Sequence, residues 1–291
     1  LVGTIPRISY GFKFKYSVMK KYYLVALATL FAIHSNAQHK LEKLWETDSI
    51  INVPESVLPD VGAGMLYVSI IGGKPGVKDG IGGVAKLSLE GKVINHDWIT
   101  GLNAPIGLGR YGNTLYAADV DEVAVIDIKT AKVLRKIPIA GAQFLNDITV
   151  DDKGVVYVAD SKTMKIHRLI NHVPELYMDS IMGVNGLKSV GDQLFIAAGK
   201  NLLKADANKA LIKVAGLPTG GDGLEPIGNG DWLFTSWAGY VYYVYADGRY
   251  DLLLDTHLEK KNTADLGYDP VKRILYIPTF YKKTVAAYQL R

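Results

Sequence analysis

Aromatic-anchored segments recur along this chain at a nearly constant interval, and that recurrence limits the fold more than any other feature. The anchors are Leu66-Tyr67, Leu115-Tyr116, Val156-Tyr157, Leu194-Phe195, Leu233-Phe234 and Leu275-Tyr276. They are separated by about 49, 41, 38, 39 and 42 residues, close to the period of a four-stranded repeat unit. Within each unit a strand precedes a tight turn, the anchored strand follows, and a loop leads to a third and usually a fourth strand. The unit around Asn113–Asp119 is the clearest. Its next strand sets Val123 and Val125 against Ala124 and Ile126, as expected of a strand packed on both faces.

Such units fit six times between Leu41 and Arg291. The expected fold is therefore all-β, a six-bladed β-propeller with four-stranded blades. A ring must close. It closes most simply if Leu41–Trp45 forms the outer strand of the last blade beside Thr284–Tyr288, leaving only short protected edges. No unit carries a sustained 3.6-residue period, which argues against a helical solenoid. Composition agrees: 30 Gly, and 18 Tyr against 7 Phe. The absence of Cys excludes disulfides, zinc-thiolate sites and thiol catalysis.

The front of the chain reads as targeting. Met19-Lys20-Lys21, the apolar run Tyr22–Ile33 and the small residues Ser35 and Ala37 have the order of a secretory signal peptide. Residues 1–18 are expected to be an upstream extension, residues 19–37 the signal, and residues 38–291 one exported domain, secreted or periplasmic. No Cys follows the cleavage site, so a lipid anchor is not expected. The formal charge of +4 comes from the five Lys and Arg of this front segment, and the body is close to neutral. A near-neutral body offers no electrostatic footprint for nucleic acid or an anionic membrane. The expected partner is a small molecule, and the expected state a monomer.

One oxygen-bearing side chain opens the first strand of most repeats: Glu55, Asn146, Asn185, Asp222 and Asp265, with Ala104-Pro105-Ile106 offering none in the second. In a propeller these positions gather at one mouth of the central channel. Carboxylates and amide carbonyls together suit Ca²⁺, which takes 6–8 oxygens in irregular geometry, better than Mg²⁺; Zn²⁺ lacks its usual ligands here. Asn-Gly and Asp-Gly are also ordinary turn signals. Five oxygen carriers in one repeat slot are poorly explained by turn chemistry alone. Asp265 is the weakest member, a fifth ligand or a supporting residue.

The motifs Pro54-Glu55-Ser56, Asn146-Asp147-Ile148, Asn185-Gly186-Leu187 and Asp222-Gly223-Leu224 resemble those of the senescence-marker-protein/gluconolactonase/luciferin-regenerating family of six-bladed propellers. The resemblance implies that Glu55, Asn146, Asn185 and Asp222 ligate one catalytic divalent cation, usually calcium. It implies hydrolysis of a lactone, ester or phosphoester, with Asp222 as base or nucleophile. The arginine that gluconolactone-type enzymes often carry near the Glu55 motif is missing.

Substrate contacts are expected from loops at the same mouth, which supply Lys74, Lys78, Asp119, Asp160, Trp237 and Phe280 as pocket candidates. The Gly72–Gly83 loop is the longest and reads as a lid or a flexible loop; with no helix after it, it is not a phosphate cradle. No His pairs with a Ser as a triad requires. The alternative function is a non-enzymatic binding module for carbohydrate, peptide or protein, with the metal structural.

Overall fold

Strands with apolar residues on both faces need a neighbour on each side, and the chain supplies one by arranging its sheets around an axis. The computed structural model describes Gly3, Thr4, Pro6 and residues 39–291. The expected signal segment and most of the extension before it lie outside the described residues. The described body begins with β1 (Leu41–Glu46). Blade one is β2 (Pro54–Asp60), β3 (Met65–Ile70), β4 (Gly82–Ser88) and β5 (Val93–Leu102). Blade two is β6 (Pro105–Tyr111), β7 (Thr114–Asp119), β8 (Glu122–Asp127) and β9 (Lys132–Pro138). Blade three is β10 (Leu145–Val150), β11 (Val156–Asp160), β12 (Lys165–Ile170) and β13 (Val173–Met178). Blade four is β14 (Val184–Val190), β15 (Gln193–Ala198), β16 (Asn201–Ala205) and β17 (Leu211–Gly216). Blade five is β18 (Leu224–Gly228), β19 (Asp231–Ser236), β20 (Tyr240–Val244) and β21 (Tyr250–Asp255). Blade six contains β22 (Gly267–Asp269), β23 (Ile274–Pro278) and β24 (Val285–Leu290).

Each blade is a four-stranded antiparallel sheet in simple meander order, and the sixth is completed from the other end of the chain. There β1 lies outermost, antiparallel to β24, pairing Leu41 with Leu290 and Glu46 with Ala286. The ring is thus closed as the sequence led one to expect. Trp45 of β1 packs with Tyr276 of blade six and donates from its indole to the Leu89 carbonyl of blade one at 3.2 Å. Glu46 accepts from Lys261 at 2.6 Å and from the Thr284 hydroxyl at 2.7 Å.

The core is a set of seams between neighbouring blades. Val123 and Val125 face the blade-three seam with Leu145, Ile148 and Val158. Ala124 and Ile126 face the blade-one seam with Tyr67, Val84 and Leu102. The alternation read from the sequence is therefore a division of side chains between two seams. One anchor is displaced. In blade five Leu224 pairs with Phe234, whereas Val57 pairs with Val68 and Leu187 with Ile196. The counterpart of Leu66-Tyr67 there is Trp232-Leu233, one position earlier than the repeat suggested, and Phe234 points back toward blade four. Among the described residues no helix is long and apolar enough to cross a membrane.

Closure by β1 makes a prediction. Trp45→Ala removes contacts to two blades at once and should destabilise the ring by about 2–3 kcal/mol, less than for a fully buried Trp. Urea unfolding reads this directly, and an unchanged midpoint would contradict the closing role.

Candidate functional site

The site begins with an irregularity repeated in the innermost strands. Across β2–β3, β6–β7, β10–β11 and β14–β15 the pairing skips, so that two residues on the inner strand stand opposite one on its partner. The residues within the skip are Glu55-Ser56, Ile106-Gly107, Asn146-Asp147 and Asn185-Gly186. A bulge of this kind re-aims side chains. Here it brings two successive residues per blade toward the channel. Asp222-Gly223 takes the same place ahead of β18, where Asp222 donates its N–H to the Thr235 carbonyl at 2.8 Å and Gly223 to the Thr235 hydroxyl at 2.9 Å.

The first residues of these pairs form the upper layer. Glu55, Asn146, Asn185 and Asp222 line one cavity of about 230 Å³ together with Ile71, Pro75, Ile106, Phe144, Trp237, Phe280 and Tyr281. Glu55 and Asp222 are buried and Asn185 is half-buried. Glu55 Oε2, Asn185 Oδ1 and Asp222 Oδ2 are shielded from solvent and accept no hydrogen bond. Buried polar atoms are almost always paired, so three orphaned oxygens at one cavity call for a ligand. Two carboxylates and two amides have the donor chemistry of a hard-cation site. The set is mixed, and among the described residues no three His, Cys, Asp or Glu side chains gather as a metal-binding group.

The second residues form a lower layer, and Asp265 belongs there. Counted along the strands, the blade-six counterpart of Glu55 is Ala264, which packs with Ile106, Ile71 and Phe280. Asp265 is one position later. It accepts from the Ser56 hydroxyl at 2.6 Å and lines the cavity at the opposite mouth, with Asp147, Lys188 and Glu225. It is therefore not part of the cavity that holds the other four. Asp147 accepts from the N–H groups of Ile148 and Leu187, both at 2.6 Å. These lower carboxylates tie neighbouring blades together.

The Gly residues after Asn185 and Asp222 are not turn residues. Gly186 lies within β14, and neither Gly186 nor Gly223 has a positive φ. They are small because blades converge: a Cβ on Gly186 would stand 2.0 Å from the Asp222 carbonyl oxygen, and one on Gly223 2.3 Å from Asp265 Oδ1.

The remaining candidates divide. Trp237 and Phe280 line the cavity, with ring centroids 5.5 Å apart edge to face. Asp119 and Asp160 do not line it. Asp119 accepts from the N–H groups of Asn103 and Ala104 at 3.0 and 2.7 Å. Asp160 accepts from Gln143 and Phe144 at 2.8 and 3.2 Å. Burial pushes Asp160 up, but its backbone donors outweigh burial and hold it below the usual carboxylate range. Both fix the segment leading into an inner strand. Lys78 pairs with Asp121 at 2.6 Å, and Lys74 is exposed away from the cavity. The Gly72–Gly83 loop is anchored: Asn52 donates to the Gly72 carbonyl at 2.5 Å, and a Cβ on Gly76 would stand 3.1 Å from the Phe144 ring. Phe144 was not foreseen from the sequence, since no period marks it.

Electrostatics follow from this crowding. Burial, then the charge of Asp265, pushes Asp222 up to about 8, with partial relief from the amide of Asn185. Burial and the charges of Asp222, Asp265 and Asp147 push Glu55 well above its ordinary range. Asp265 is raised to about 7 by burial, against the relief given by Ser56.

The architecture defines a six-bladed β-propeller with an oxygen-lined mouth. No family model matches the sequence, and no curated protein matches it either. Among solved structures the chain is similar to virginiamycin B lyase from Staphylococcus aureus in selenomethionine-substituted form (TM-score 0.62, 12% identity, covering 87% of this chain and 100% of that one). A catalytically inactive variant of the same lyase with quinupristin gives a TM-score of 0.59 at 13% identity, covering 87% of this chain and 100% of that one. A chain of a nidogen/laminin complex gives 0.62 at 16% identity, over 75% of this chain and 85% of that one. At such identities the likeness establishes the fold alone.

The raised carboxylates set a pH dependence. Between about pH 4 and pH 8 the folded chain keeps protons on Asp222 that the unfolded chain has released. Without divalent cations, stability should therefore fall as pH rises through that window and level off above it. Glu55, Asp147 and Asp265 act in the same direction. Calorimetry in a chelator from pH 5 to 8.5 measures this, with Asp222→Asn removing its share; a melting temperature that rises with pH would refute the arrangement.

Proposed function

We propose that this chain is an exported, calcium-dependent hydrolase of the gluconolactonase type, acting on a lactone or ester at the oxygen-lined mouth. The observation that carries the reading is the trio of orphaned oxygens, from Glu55, Asn185 and Asp222, facing one cavity beneath an apolar wall. Glu55, Asn146, Asn185 and Asp222 would hold the cation. When bound, it would polarise the substrate's carbonyl oxygen and offset the charge that develops there. With its own charge balanced, Asp222 is ionised at neutral pH and either takes a proton from the attacking water or attacks the carbonyl itself. Ile71, Phe144, Trp237 and Phe280 exclude bulk water and seat the substrate.

The second reading is a binding module whose cation is structural. One observation favours it. Apart from the Tyr281 phenol, Glu55 and Asp222 are the side chains lining the cavity that can exchange a proton, and both would be committed as ligands to the cation.

The two readings separate on one variant. With calcium present, a panel of lactones and aryl esters should be hydrolysed, and chelation should abolish the activity. Asp222→Asn should lower kcat by about 10²–10⁴-fold, the usual worth of a general base, while the protein remains folded by circular dichroism. Loss of melting temperature with no turnover by either protein would favour the binding module.

A further inference from the structure

Resting on the hydrolytic reading for its word substrate, we infer that the molecule taken at this mouth is an uncharged lactone or ester carrying an apolar chain, not a sugar lactone or a phosphate. The upper layer has six positions, and only four are polar. The other two, Ile106 of blade two and Ala264 of blade six, flank Glu55 on either side of blade one. They belong to one apolar cluster with Ile71 and Phe280, against which Phe144 packs. The ring thus has an oxygen arc across blades three to five, and an apolar floor beside it.

That floor continues upward. Trp237 is 44% and Tyr281 60% exposed, each edge-on to Phe280 and to the other. An aromatic surface therefore runs from the cavity floor to solvent. A cavity of about 230 Å³ takes a small ring with a short substituent; a longer chain would leave along Trp237 and Tyr281.

The excluded substrates fail for want of partners. A sugar lactone brings several hydroxyls, and apart from the four polar residues of the upper layer the side chains of the lining offer only the Tyr281 phenol and the Trp237 indole N–H to pair them. Unpaired hydroxyls against that wall are costly. A phosphate or carboxylate would meet no Lys, Arg or His lining the cavity, since Lys78 is turned to Asp121.

The test uses the calcium-loaded protein and two matched series: γ-lactones with alkyl chains of increasing length beside gluconolactone, and the corresponding 2-alkylcyclopentanones, which cannot be hydrolysed. KM for the lactones should fall about fourfold with each added methylene that is buried, and Trp237→Ala should flatten that slope for the longer chains. Gluconolactone turned over as well as the alkyl lactones, or a KM indifferent to chain length, overturns the inference while the hydrolytic reading stands. Calorimetric binding of the ketones that strengthens with chain length, without turnover of any lactone, sinks the hydrolase and supports this ligand class. Neither binding nor turnover overturns both.

Discussion

Two carboxylates crowded onto one cavity out of water, with only the amide of Asn185 to relieve them, are the constraint around which this molecule is arranged. Left to themselves Glu55 and Asp222 repel each other and resist ionisation. The backbone hydrogen bonds from Asp222 to Thr235 and from Asp265 to Glu55 position the two residues but do nothing to offset that repulsion. The force comes from apolar seams between the blades, each drawing two sheets together and narrowing the ring at its axis. The site is thus maintained by packing far from it, while its own electrostatics oppose the fold.

The bulge is what converts a ring of strands into two ring-shaped layers. A regular strand would send alternate side chains into the channel and waste the next on a seam. By skipping one pairing position, the inner strands present both Glu55 and Ser56, or both Asn146 and Asp147, to the axis. The two layers then do different work. Oxygens of the upper layer are left open beneath an apolar mouth. Those of the lower layer are consumed in tying blades together, Asp147 to Leu187 and Asp265 to Ser56. Further down, Lys188 reaches Glu225 and Arg110 reaches Asp60, again from blade to blade.

Much of this is legible in the sequence, and where the structure differs the causes are specific. The repeat interval and the two-faced alternation of β8 are local properties, so blade number, strand order and closure by Leu41–Trp45 followed from the sequence. Asp265 reads as a member of the oxygen slot because it stands before an apolar run, as Asp222 nearly does. The slot is counted back from Leu266, and the count gives Ala264. The blade-five anchor slid for a similar reason, since Trp232, Leu233 and Phe234 are all large and apolar, and only pairing with Leu224 selects among them. Asp119 and Asp160 read as pocket residues because they end strands at the correct mouth; they turn inward to satisfy backbone N–H groups that would otherwise be buried unpaired.

By itself the sequence determined the kind of ring, because periodicity and turn chemistry act over a few neighbours and repeat in every unit. It also supplied the chemical types that would face the axis. Which of two adjacent residues looks into which mouth was decided by the tertiary structure alone. That choice depends on a single skipped hydrogen-bonded pair and on how closely the next blade approaches, as the contact between Gly186 and the Asp222 carbonyl shows. Neither the skip nor the approach is visible until residues about forty positions apart are brought side by side.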